Sequence, residues 1–122
     1  MDHEQETTTL IGSDKVAGTK VYNAAGEHLG EIADIMIDKV SGRVAYAVMS
    51  FGGFLGMGEQ HHPLPWSTLT YDVDKGGYVV NLSREQLEGA PRYEAETKPE
   101  WGDRAYEQRL HDYYGVNPYW GL

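Results

Sequence analysis

Residues 44 to 51, VAYAVMSF, have no polar face: Val44, Tyr46 and Val48 alternate with Ala45, Ala47 and Met49. Period two marks a strand, whose side chains point to opposite sides in turn. A strand that is apolar on both sides lies at the centre of a structure, or is covered on its second side by something outside its own sheet. Every other element of this chain has to satisfy that demand.

Upstream, HLGEIADIMIDKV over residues 28 to 40 puts Ala33, Ile35 and Ile37 on one face and Asp34 and Asp38 on the other, which predicts a second strand. Gly30 near its start marks a bulge, and Ser41-Gly42 turns the chain into the apolar run. A shorter strand fits Thr19 to Asn23, closed by a turn at Ala24 to Glu27. Two more fit Leu69 to Val73 and Tyr78 to Leu82, around the turn Asp74 to Gly77. In HHPLPW, Pro63 and Pro65 stand two apart, so their missing N–H groups fall on one edge, which makes this an edge strand or one that has left the sheet. About six short strands joined by tight turns predict a mainly β chain, antiparallel throughout, closed into a small barrel.

The domain reading is a mobile arm over 1–14, the barrel over 15–91 and a helical tail over 92–122. Ser83 with Gln86 forms a capping box ahead of one or two helical turns that end at Gly89 and Pro91. In the tail, Pro99 suits a helix start and Gly115 with Pro118 its end. Tyr106, Leu110, Tyr113 and Tyr114 fall near one helix face and need cover, either from the barrel itself or from a partner.

The run FGGFLGMGEQHHPLPW at 51 to 66 invites chemistry and mostly refuses it. Its glycine spacing begins a phosphate loop, but Glu59 and Gln60 stand where Lys and Ser or Thr are required. A dinucleotide fingerprint fails at His61, which takes the place of the third glycine. His61 and His62, as neighbours on a strand, point to opposite faces and cannot readily share one ion. Asp72 to Gly77 resembles a calcium loop at its first, third and sixth positions, but has Gly76 in place of a ligand at the fifth and Ser83 where the bidentate Glu belongs. No cofactor and no catalytic constellation is expected.

With 122 residues, 40% of them hydrophobic, the chain has material for one core. Nineteen acidic residues against ten basic ones give a net charge of −9, which disfavours nucleic acid and anionic membranes as partners. There is no cysteine, no apolar run of the roughly 18 to 20 residues a membrane span needs, and no basic, apolar leader in MDHEQETTTL. A soluble cytoplasmic protein is expected.

The segment from Val21 to Asp72 resembles the PRC-barrel family, the barrel shared by the cytoplasmic part of the photosynthetic reaction-centre H subunit and the C-terminal domain of RimM. The resemblance is carried by the G-E-x-L-G-x-I-x-D-x-x-I-D pattern from Gly26 to Asp38, Ser-Gly-Arg-Val at 41 to 44, and P-L-P-W-S at 63 to 67. HDYYGVNPYW at 111 to 120 resembles the closing segment of stand-alone bacterial members. The resemblance implies a docking module without catalytic residues, linked in some members to stress responses or to membrane and ribosomal assemblies.

The functional expectation is therefore a protein-interaction module acting as a homodimer, with no enzymatic activity. Phe54, Leu55, Met57 and Trp66 are the candidate contact surface, and Tyr113, Tyr114, Tyr119 and Trp120 the residues that secure the tail. The alternative is a sensor of a metal or small molecule at the barrel mouth, using His61, His62, Asp34 or Asp38.

Overall fold

The computed structural model describes residues 10–51, 60–94, 101 and 103–120. Seven strands run β1 Lys20–Asn23, β2 His28–Ile37, β3 Val44–Phe51, β4 Gln60–Pro65, β5 Leu69–Asp72, β6 Gly77–Val80 and β7 Tyr93–Glu94. They form one sheet in the order β5-β6-β1-β2-β3-β4-β7. A 3-10 turn at Trp66–Thr68 leads straight from β4 into β5, although these strands lie near opposite ends of that order. So short a joint forces the sheet to roll until its two ends meet, which makes the fold a mainly β, barrel-like one.

Antiparallel pairing throughout is corrected at one joint: β1 runs parallel to β6, with Val21 opposite Tyr78 and Asn23 opposite Val80. β6 pairs with β5 as a hairpin and then meets β1 on its other side. Gly77 permits the approach, because a Cβ there would stand 2.6 Å from the Lys20 carbonyl oxygen.

β3 occupies the place its sequence demands, with neighbours on both sides and both faces covered. Ala47, Met49 and Phe51 face the inside of the roll together with Val21, Leu29, Ile32, Leu64, Val80 and Leu87. Full burial of a side chain such as Leu64 or Leu87 contributes about 1.5–3 kcal/mol. Ala45 and Tyr46 belong to a second cluster outside the roll, built with Leu110, Met36, Trp101, Tyr106 and Tyr119.

The face assignment on β2 is corrected. Leu29 and Ile32 are buried, while Ala33 and Ile37 are exposed. The register against β3 slips at Ala33, where Ile32 opposes Met49 but Asp34 opposes Val48. A bulged residue shifts the alternation by one, so the inward positions change parity along the strand. A further slip against β1 falls beside Gly30, where Val21 opposes Gly30 and Tyr22 opposes His28. A Cβ on Gly30 would strike the Ser50 carbonyl oxygen. Gly30→Ala is therefore expected to cost about 3 kcal/mol in urea unfolding, because backbone cannot swing aside as a side-chain tip can. A cost below about 1 kcal/mol would mean that the strands can separate there at little expense.

Ser83 caps α1 (Arg84–Glu88) with a full capping box, as its sequence signals. The long tail helix, α2 (Arg104–Tyr114), starts later than Pro99, on Asp103, whose carboxylate accepts from the Ala105 amide. Gly115 closes it in the left-handed conformation at φ 67°. Tyr93 and Glu94 have paired with β4 as its outer neighbour, through His61 and Gln60. The pairing stops short of Pro63 and Pro65, which lie opposite Val48 and Tyr46 of β3. Having no N–H to offer, the prolines could supply only the acceptors of a further ladder, which disfavours extending β7 along them.

Candidate functional site

α2 packs on the outside of the sheet and supplies the cover β3 requires. Its buried residues are Glu107, Leu110 and His111, so the inward face differs from the aromatic stripe read from sequence. Tyr106 and Tyr114 are half-buried, and Tyr113 remains 44% exposed. Glu107 and His111, four residues apart, present themselves together to the barrel.

They meet Tyr46. Its hydroxyl donates to Glu107 Oε1 at 2.9 Å and lies 2.9 Å from His111 Nε2. The Tyr119 hydroxyl donates to the same carboxylate oxygen at 2.9 Å. A phenol has one proton to give, so with that of Tyr46 on Glu107, the His111 Nε2–H donates to the Tyr46 oxygen. Tyr46, Glu107 and His111 are 1%, 4% and 2% exposed, so the knot is largely shielded from bulk water. Burial raises the Tyr46 phenol far above its ordinary pKa, and the bond to Glu107 raises it further, so it stays a donor. Burial holds the His111 imidazole below its ordinary value, against the upward pull of the Glu107 carboxylate.

Aromatic rings seal this knot. Trp101 lies on Tyr46 at a centroid distance of 5.3 Å, and Tyr119 meets it edge-on at 5.7 Å. Trp120 packs on His111 at 5.4 Å and carries the Arg104 guanidinium 3.9 Å above its ring. On one side opens a groove of about 420 Å³ between the β2–β3 turn, Pro65 to Ser67 and Asn117 to Tyr119, with His111 in its wall. A second hollow, a pit of about 290 Å³ that shares Asp38, Ala45 and Tyr119 with the groove, is bordered by Met36, Trp101 and Glu107.

The residues singled out from sequence are distributed as follows. Trp66 spans two environments, packing edge-to-face on Tyr78 at 5.3 Å while also lining the groove. Tyr119 and Trp120 belong to the knot and its seal. The Tyr113 hydroxyl donates to the Gln86 carbonyl, joining α2 to α1, and Tyr114 packs against the barrel core. Phe54, Leu55 and Met57 lie outside the described residues, as does the glycine run of the phosphate-loop test.

His61 and His62 point to opposite faces of β4. His61 meets Tyr93 edge-on at 5.4 Å, and His62, 1% exposed, meets Phe51 edge-on at 5.2 Å. Burial pushes the His62 pKa down to about 4, with the charges of Arg92 and His61 adding to the effect. Asp34 accepts from the adjacent Ile35 amide on β2, and Asp38 accepts from the Val40 amide and the Ser41 hydroxyl in the β2–β3 turn. Among the described residues no group of three or more His, Asp or Glu is placed to hold a metal. Asp72 likewise accepts from the Asp74 and Lys75 amides, which makes its segment a hairpin turn.

A rolled β-sheet with an apolar strand at its centre, covered on its outer face by its own C-terminal helix, defines a small barrel module. The chain belongs to the PRC-barrel domain family, whose model matches residues 9–87. It is 24% identical over 95 residues to an uncharacterized protein of Deinococcus radiodurans, a match that covers 78% of this chain and 31% of that protein's length. Among solved structures it is similar to RimM of Pseudomonas aeruginosa, described as a 16S ribosomal RNA processing protein, with 16% identity and a TM-score of 0.40. That match covers 70% of this chain and 50% of the other. Among the described residues, no helix is long and apolar enough to cross a membrane.

Proposed function

We propose that the chain is a non-enzymatic docking module of the PRC-barrel family that works as a homodimer, with the groove beside Trp66 as its contact surface. The observation that carries this reading is the groove's composition. Val44, Ala45, Pro65, Trp66, Pro118 and Tyr119 supply apolar walls, and Asp38, Ser41, Arg43, Ser67 and Asn117 a polar margin. An apolar centre with a hydrophilic margin and a half-buried tryptophan is the anatomy of an interface anchor site. In the dimer the occupant is the apolar run Phe54, Leu55 and Met57 of the second copy, three large side chains in a glycine-rich stretch that need burial.

Sedimentation equilibrium tests it. The expected species is a dimer at about 100 μM, and Val44→Glu or Phe54→Asp is expected to leave a folded monomer with at least tenfold weaker association. A wild-type chain that stays monomeric throughout that range would overturn the reading.

A further inference from the structure

The pit beside Glu107 adds Trp101 and a buried carboxylate that the docking groove lacks. Its walls are Trp101 and Tyr119, both half-buried, set around the back-wall ring of Tyr46, with the apolar Met36 beside them. Glu107 stands in its lining with one carboxylate oxygen, Oε1, taken by two tyrosine hydroxyls. Glu107 itself is only 4% exposed, so its carboxylate reaches the pit from the protein interior. Asp38 adds a second carboxylate at the mouth.

We propose that this pit binds a small organic ammonium ion, a methylated nitrogen seated against Trp101 and Tyr119 with the Glu107 carboxylate as its counter-charge. Aromatic faces carry negative quadrupole density and attract cations whose hydration is weak, which is how aromatic cages hold quaternary ammonium groups. A hard metal ion would instead need several oxygen ligands, and the pit offers two carboxylates. The net charge of −9 draws cations toward the surface. Two cationic side chains also approach. Lys39 lines the mouth from the exposed hairpin turn, where its flexible stem lets the ammonium turn to solvent. Arg104 is stacked 3.9 Å above Trp120 and lies 5.9 Å from the Tyr119 ring centroid, so it competes for that ring from outside the lining and leaves Trp101 as the principal face for the ligand. A volume of about 290 Å³ suits a single head group on a short arm, and the proposed occupant is a free small molecule.

Isothermal titration and two-dimensional NMR with choline test this, using 3,3-dimethylbutan-1-ol as the uncharged isostere and a trimethyllysine peptide as the macromolecular alternative. Saturable choline binding is expected, with shifts at the Trp101 indole and Met36 methyl, and at least tenfold weaker binding of the isostere. Trp101→Ala and Glu107→Gln are each expected to weaken choline at least tenfold. Glutamine keeps an oxygen for the two tyrosines, and if that variant fails to fold, Trp101→Ala and the isostere decide alone. Equal affinity for choline and its isostere, no saturable binding, shifts elsewhere, or tighter binding of the peptide would overturn the assignment.

Discussion

Replacing Tyr46 with phenylalanine is expected to lower stability by about 3 kcal/mol, although it removes a single oxygen. The loss has two parts. Glu107 keeps one donor, Tyr119, where it had two, and the His111 Nε2–H is left facing a ring carbon. Each is a buried polar or charged group deprived of a partner, and such a loss costs about 1–3 kcal/mol. Tyr119→Phe orphans no second group and is expected to cost about half as much. Urea denaturation gives the totals, and hydrogen exchange over residues 104 to 120 locates them in the tail. If Tyr46→Phe costs no more than Tyr119→Phe, the link from Tyr46 to His111 contributes nothing, and the knot reduces to two independent bonds to a carboxylate.

Acidification is expected to weaken the fold between about pH 6.5 and pH 4 through His62. Its folded pKa is depressed to about 4, chiefly by burial. The unfolded chain therefore takes up a proton below about pH 6.5, while the folded chain refuses it until near pH 4. In that interval the unfolded state binds more protons, so stability falls with pH, by about 3 kcal/mol in all, and the contribution of this residue is flat below it. The His111 imidazole shifts in the same direction and adds to the slope. Chemical denaturation at pH 7, 5.5 and 4 on the wild type and on His62→Leu isolates the first contribution. The variant is expected to lose most of the difference between pH 7 and pH 4. An unchanged slope would place the proton uptake on other groups.

Much of the architecture was legible because it follows from local rules. The unbroken apolar run at β3 demanded cover on both sides, and the proline pair limited pairing on one edge of β4. Ser83 with Gln86 announced the start of α1. The faces of β2 were not legible, since a bulge at Ala33 changes the parity of a strand without altering its composition. The parallel β1–β6 joint escaped for a related reason. Turn signals report which strands are consecutive, whereas this pairing joins elements with four other strands between them.

The polar knot was the larger omission. Tyr46 reads as one more core aromatic on an apolar strand, and His111 as a stray histidine. Glu107 and His111 do flank Leu110 at the spacing of one helix face, and that was the available signal. An apolar stripe drawn through Tyr106, Leu110, Tyr113 and Tyr114 hides it, because hydrophobic periodicity assigns charged groups to solvent. Only the partner across the interface, 61 residues away from Glu107, gives the buried carboxylate a reason to be there.

The joint between β1 and β6 also sets the order in which this chain can assemble. β2, β3 and β4 pair with near neighbours in sequence, so their ladder can form early from short loops. Val21 finds Tyr78 only across most of the barrel sequence. Closing so long a loop costs entropy before the ladder repays it, and non-local pairing of this kind slows folding. Until it closes, the flank of β1 that will meet β6 presents unpaired backbone to any extended chain nearby, which makes the half-assembled sheet the species most open to capture or aggregation.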